Sequence, residues 1–167
     1  MADTQEKLWE FAISAKHRAY RRLERTLAAQ RKELHVLEED ASVRRMETQE
    51  VRDLLLECDT DIEGLLQSPD PIPVQCYLDY SMWRQQLEER VKSAQHAQER
   101  SIVAVADKRN ETLETSRSMA RVDNQTRMCK SRLKMVRQKR EEALSLQAEE
   151  EAVEVIVMHA HLVGQVC

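Results

Sequence analysis

From Trp9 the chain can be walked in alternating steps of four and three: Trp9, Ile13, Lys16, Tyr20, Leu23, Leu27, Gln30, Leu34, Leu37, Ala41, Arg44, Thr48, Val51, Leu55, Cys58, Ile62, Leu65. Most of these positions are apolar. A repeat averaging about 3.5 residues keeps one stripe turned toward a partner only if the helix supercoils, so the pattern predicts one long coiled-coil helix. The exceptions Lys16, Gln30, Arg44 and Thr48 weaken the seam locally and help to fix its register. Asp3, with Glu6 three residues on, reads as a capping box at the start.

The walk stops in the segment Gly64, Ser68, Pro69, Asp70, Pro71, Ile72, Pro73, which holds all three prolines and one of the two glycines. A proline inside a helix costs about 3 kcal/mol, so this cluster ends the first helix and lets a second start near Pro73. A connection this short folds the second helix back along the first. That helix carries Tyr80, Trp83, Leu87, Ala94, Ala97, Ser101 and Ala104. It drifts through Leu113, Ala120 and Val122, and recovers at Cys129, Leu133, Val136 and Ala143. Its small residues permit close approach but bury little area, which predicts looser pairing over about 106–127.

The expected fold is therefore all-α: a long antiparallel two-helix coiled coil, or helical hairpin. Helix one is expected over about 4–66, the turn over 67–73, helix two over about 74–157 and a tail over 158–167, all in a single elongated domain. At 1.5 Å per residue the helices would be roughly 90 and 120 Å long. Beyond Glu149, Glu150 and Glu151 the sequence turns apolar without a clean heptad. This tail reads equally as frayed helix, a docking segment, or the end of the coil pressed against a partner.

Composition agrees. Of 167 residues, 34% are charged and 4% aromatic, with only two glycines, too few turn formers for a strand-rich domain. No apolar run approaches the length of a membrane span, and the opening residues lack a signal-peptide core, so the expectation is a cytoplasmic protein without membrane insertion. Cys58, Cys76, Cys129 and Cys167 show no metal-binding or disulfide spacing and are expected to be reduced thiols. His159, His161 and Cys167 are an unpromising metal set, because an i, i+2 pair on a helix points to different faces.

Charge is segregated although the net value is only −4. Residues 16–32 hold Lys16, Arg18, Arg21, Arg22, Arg25, Arg31 and Lys32 against Glu24. Residues 127–140 hold seven Lys/Arg and no acid, whereas 38–63 carry ten acids against Arg44, Arg45 and Arg52. Folding at about residue 70 would bring the two basic stretches to neighbouring levels. They read as a solvated face or as a surface that docks into an acidic collar of a protein ring. Interleaved base-reading side chains are missing, so no nucleic acid is expected. No phosphate loop, dinucleotide fingerprint or nucleophile elbow is present, so no enzyme activity and no cofactor are expected. Tyr77, Tyr80, Trp83 and Leu87 gather just past the turn, either as a hydrophobic cap on the hairpin end or as an exposed anchor for a partner.

The stretch Tyr80-Ser-Met-Trp83-Arg-Gln-Gln-Leu87-Glu88 resembles the Tyr-x-x-Phe-x-x-x-Leu-Glu segment of the flagellar export protein FliJ and its type III secretion counterparts, the YscO (SctO) group. The order of a basic first helix, a Pro/Ser turn, a longer second helix with late Lys/Arg, and an acidic closing stretch is similar as well. The resemblance implies a non-catalytic central stalk of a type III export ATPase. Such a stalk promotes assembly and activity of the ATPase hexamer, links it to the cytoplasmic domain of the export-gate membrane protein, and in some members binds export chaperones. By position it implies a gate contact through Tyr80, Trp83, Leu87, Arg90 and Ala94, of which Arg90 and Ala94 depart from the flagellar residues. It also implies that Arg18, Arg21, Arg22, Arg25, Arg132, Lys134 and Arg137 face the ATPase ring. The competing reading is a coiled-coil adaptor or chaperone-type binding protein with no ATPase role.

Overall fold

A computed structural model describes residues 2–68, 71 and 73–164, with side chains described for 4–68, 71 and 73–158. Two helices, α1 (Ala2–Gln67) and α2 (Val74–Gly164), make up the secondary structure of the described residues, packed together as a helical hairpin. The stripe expected on α1 holds throughout. Every position from Trp9 to Leu65 is buried or half-buried, Lys16 and Arg44 included.

The ends of the helices follow from the prolines. The Ser68 amide donates to the Leu65 carbonyl and closes α1, while the Pro73 carbonyl accepts from Cys76 and Tyr77 and opens α2. The N–H that Pro73 lacks is no loss, because the first N–H groups of a helix have no intrahelical acceptor. Gly64, grouped above with the break, lies inside α1 instead, where a Cβ would meet nothing within 4 Å. Asp3 also departs from expectation: α1 begins at Ala2, so Asp3 sits inside the first turn, and its side chain lies outside the described residues. At its far end α2 runs to Gly164, past the expected limit at 157.

Contacts divide the chain into two units: a turn unit, Thr26–Thr115, and a terminal unit, which joins residues up to Arg25 with those from Ser116 onward. In the turn unit Leu27, Cys58, Leu87 and Val105 are buried, together with the polar Gln30, Thr48 and Ser101. The Thr48 hydroxyl lies 2.8 Å from the Arg44 carbonyl and 3.2 Å from that of Ala94 across the interface. A side chain reaches the opposite backbone there because Ala94 has only a methyl to interpose. Burial, reinforced by Asp59 and Asp61, pushes the Cys58 thiol up and leaves it protonated.

Charge pins this unit across the seam. Arg84 meets Asp59 at 2.6 Å, Lys108 meets Glu33 at 2.8 Å and Glu111 at 2.6 Å, and Arg109 meets Glu38 at 2.6 Å. The Gln30 amide donates to Glu111 at 2.9 Å, while its own oxygen is buried without a partner. Hydrogen bonds from Lys108, then from Gln30, hold the Glu111 carboxyl below its ordinary range, and Glu111, then Glu33, raises Lys108.

The α2 seam differs from the expected line. It passes in unbroken steps of four and three through Tyr80, Arg84, Leu87, Val91, Ala94, Gln98, Ser101, Val105, Lys108, Thr112 and Thr115 in the turn unit. In the terminal unit it continues through Met119, Val122, Thr126, Cys129, Leu133 and Val136, every one buried or half-buried. Leu113 (49% exposed) and Ala120 lie outside it, so the expected drift over 106–127 is a polar stretch of an intact heptad.

Candidate functional site

The residues expected to contact an export gate fall on two sides of α2. Leu87 is fully buried, and Tyr80 and Ala94 are half-buried on the same seam. Trp83 and Arg90, seven residues apart and so nearly aligned on the helix, are exposed. Tyr77, Leu78 and Met82, also exposed, point to other sides of the same helix, about 100° or more from Trp83. Leu87 and Ala94 hold the helix in place from behind, and only Trp83 and Arg90 of the expected set present side chains outward.

The two basic stretches are not opposite one another. Lys16 donates to Gln125 at 2.7 Å, whereas Arg137 meets Glu10 at 2.6 Å and Glu6 at 3.7 Å, and Arg140 meets Glu6 at 3.2 Å. Residues 127–140 thus lie against the opening turns of α1, ahead of Lys16, and two of their cations are neutralised there. Arg18, Arg21, Arg25, Arg132 and Lys134 are exposed, and the structure gives none of them an ion pair. Arg22 is exposed but engaged. Uncompensated cations of the expected ring set are therefore Arg18, Arg21 and Arg25 on α1 with Arg132 and Lys134 on α2, all in the terminal unit.

Periodicity alone missed an open groove of about 740 Å³ in the terminal unit, with Leu8, Trp9, Met135 and Val136 among its lining and Arg132, Lys139 and Arg140 at its edge. The signal lay in Leu8 and Met135, large apolar residues off the seam and 62% and 48% exposed. No group of His, Cys, Asp and Glu among the described residues is arranged to hold a metal ion. No helix among them is long and apolar enough to cross a membrane.

The family model for the bacterial type III secretion protein HrpB7 matches residues 4–159, nearly the whole described hairpin. The chain belongs to the HrpB7 family. No curated protein and no solved structure matches it. The HrpB7 match places the chain in type III secretion, the system toward which the Tyr80–Glu88 resemblance pointed. Machinery of that system supplies its partners. Two exposed features of this HrpB7-family hairpin stand out: Trp83 with Arg90 on one line of α2, and the unpaired cations of the terminal unit.

Proposed function

We propose that this HrpB7-family chain is a non-catalytic central-stalk component of the type III export ATPase complex. It promotes assembly and activity of the ATPase hexamer, and links the hexamer to the cytoplasmic domain of the export gate and to export chaperones. It works in the cytoplasm, at the periphery of the membrane-embedded apparatus.

The observation that carries this reading is the set of exposed cations without internal partners: Arg18, Arg21, Arg25, Arg132 and Lys134. An unpaired cation docks onto an acidic surface without first breaking a bond of its own. Arg137, tied to Glu10 and Glu6, has to give up those pairs to do the same, and so ranks below them. Electrostatic docking of this kind raises encounter rates and fades with salt, because exposed charges are screened beyond roughly 8 Å at physiological ionic strength. The second address is the exposed Trp83, with Arg90 two turns on along the same line, since aromatic and Arg side chains dominate interface hot spots.

The test is ATP hydrolysis by the cognate ring with and without this protein. Stimulation is expected, and reversal of Arg18, Arg21, Arg132 and Lys134 to Glu together abolishes it while helical content is unchanged. Full stimulation by the reversed variant sinks the ring-docking role.

A further inference from the structure

Beyond Arg140, α2 continues as an exposed helix whose first turns still edge the groove. Every described side chain from Glu141 to Met158 is exposed, including Leu146 (60%), Val153 (59%) and Val157 (54%). At about 100° per residue these three fall within about 40° of arc, forming an apolar stripe. Glu149 flanks the stripe on one side, and Glu150 and Glu154 on the other. Leu146, Glu149, Glu150, Val153 and Glu154 line one shallow recess on this single helix. The stretch also ends in Val155, Ile156 and Val157, β-branched residues that favour helix weakly when nothing packs on them.

Charge indicates what packs there. Residues 141–158 hold six Glu and no Lys or Arg, and the preceding 127–140 hold seven Lys/Arg and no acid. A helix basic in one half and acidic in the next complements a second copy of itself when the two run antiparallel, and repels it when they run parallel. The groove starts in the basic half and ends in the first turns of the acidic half, at Ala143, Leu144 and Gln147. Its α2 wall runs from Arg132 to Gln147, close to the length of the acidic stretch, and Leu8, Trp9, Met135 and Val136 give the apolar lining such a stripe requires. Arg132 and Lys139, at its edge, have no ion pair in the structure and so stand free to meet Glu149, Glu150 and Glu154.

We propose that two copies of this chain form a reciprocal antiparallel dimer in which the 141–158 stretch of each lies in the Trp9–Met135 groove of the other. The contact is isologous: one patch supplies both sides, and the two-fold axis passes near the junction of the basic and acidic halves. Because Arg132 serves both this contact and the proposed ring surface, the dimer and the ring-bound form exclude one another.

Charge-swapped chains, followed by sedimentation velocity and light scattering, give the test. Wild type is expected to dimerise, more weakly at high salt. Glu150→Lys with Glu154→Lys sets cation against cation in the homodimer, and Arg132→Glu with Lys139→Glu sets acid against acid, so each variant alone loses the dimer. Mixed in equal amounts they regain it, because both grooves then meet a stretch of opposite sign. Leu146→Glu with Val153→Glu loses it at every salt concentration. All these positions are exposed, so circular dichroism should read a largely unchanged helical content for the whole chain. Monomeric wild type at all soluble concentrations, homodimers that survive the swaps, or higher oligomers in the mixture each overturn the proposal.

Discussion

The turn unit and the terminal unit are built from the same two helices yet spend their side chains differently. In the turn unit the helices satisfy each other. Seven residues between Leu27 and Val105 are buried, and Arg84, Lys108 and Arg109 find carboxylates across the seam. Among the described residues of the terminal unit only Thr126 and Leu133 reach that degree of burial, the groove beside Trp9 stays open, and Arg132 and Lys134 have no ion pair. The contrast is one of closure: one unit buries and pairs its side chains across the seam, and the other leaves more of them exposed.

The largest effect should come from cutting into the closed unit. Leu87→Ala removes a side chain with no solvent exposure and should cost about 2–4 kcal/mol in a chemical denaturation curve. Leu133→Ala, at a looser site, should cost less. Equal losses would mean that the two units are packed alike and would erase the distinction.

A smaller effect of opposite sign is expected at Gln30. Its side chain is buried and its oxygen unpartnered, so Gln30→Leu should stabilise the hairpin by about 1 kcal/mol. The cost is register: Gln30 is the side chain that ties Glu111 to the α1 seam, and its loss should broaden the exchange-protection pattern of neighbouring amides. Destabilisation instead would show that the bond to Glu111 outweighs the orphaned oxygen.

The pH response should be the mildest. Glu111 is held below its ordinary 4.5, so its contribution is present above that value and is lost as pH falls through the depressed folded value. Lys108 is raised above 10.5, so its contribution is present below that and is lost as pH rises through the folded value. The melting temperature should be level between these limits, and Glu111→Gln should flatten the acid limb. An unaltered acid limb would remove this network from the account of the turn unit.

How legible all this was in the sequence depends on the side chains. The α1 seam was fully legible, because apolar side chains mark thirteen of its seventeen positions. The middle of α2 was not, and the reason is threonine. Thr112, Thr115 and Thr126 point their hydroxyls back to the carbonyls of Lys108, Glu111 and Val122, at 2.8, 3.1 and 2.8 Å. With its polar atom satisfied within its own helix, each presents a methyl to the seam and behaves as a small apolar residue. Leu113, which looked like core, faces water because it is one step out of phase. Among candidate site residues, Trp83 and the arginines drew notice by type and clustering, but which of them are exposed and unpaired came only with the structure. The burial of Leu87 and the capture of Arg137 by Glu10 needed the register of two helices, which no local pattern contains.

The meeting of Thr48 with the Ala94 carbonyl sets a gauge. Wherever a hydroxyl on one helix touches the main chain of the other, their separation there is fixed by what residue 94 leaves out. A valine or leucine at that position would work as a wedge, and the strain would run outward in both directions along a seam that has few large residues to absorb it.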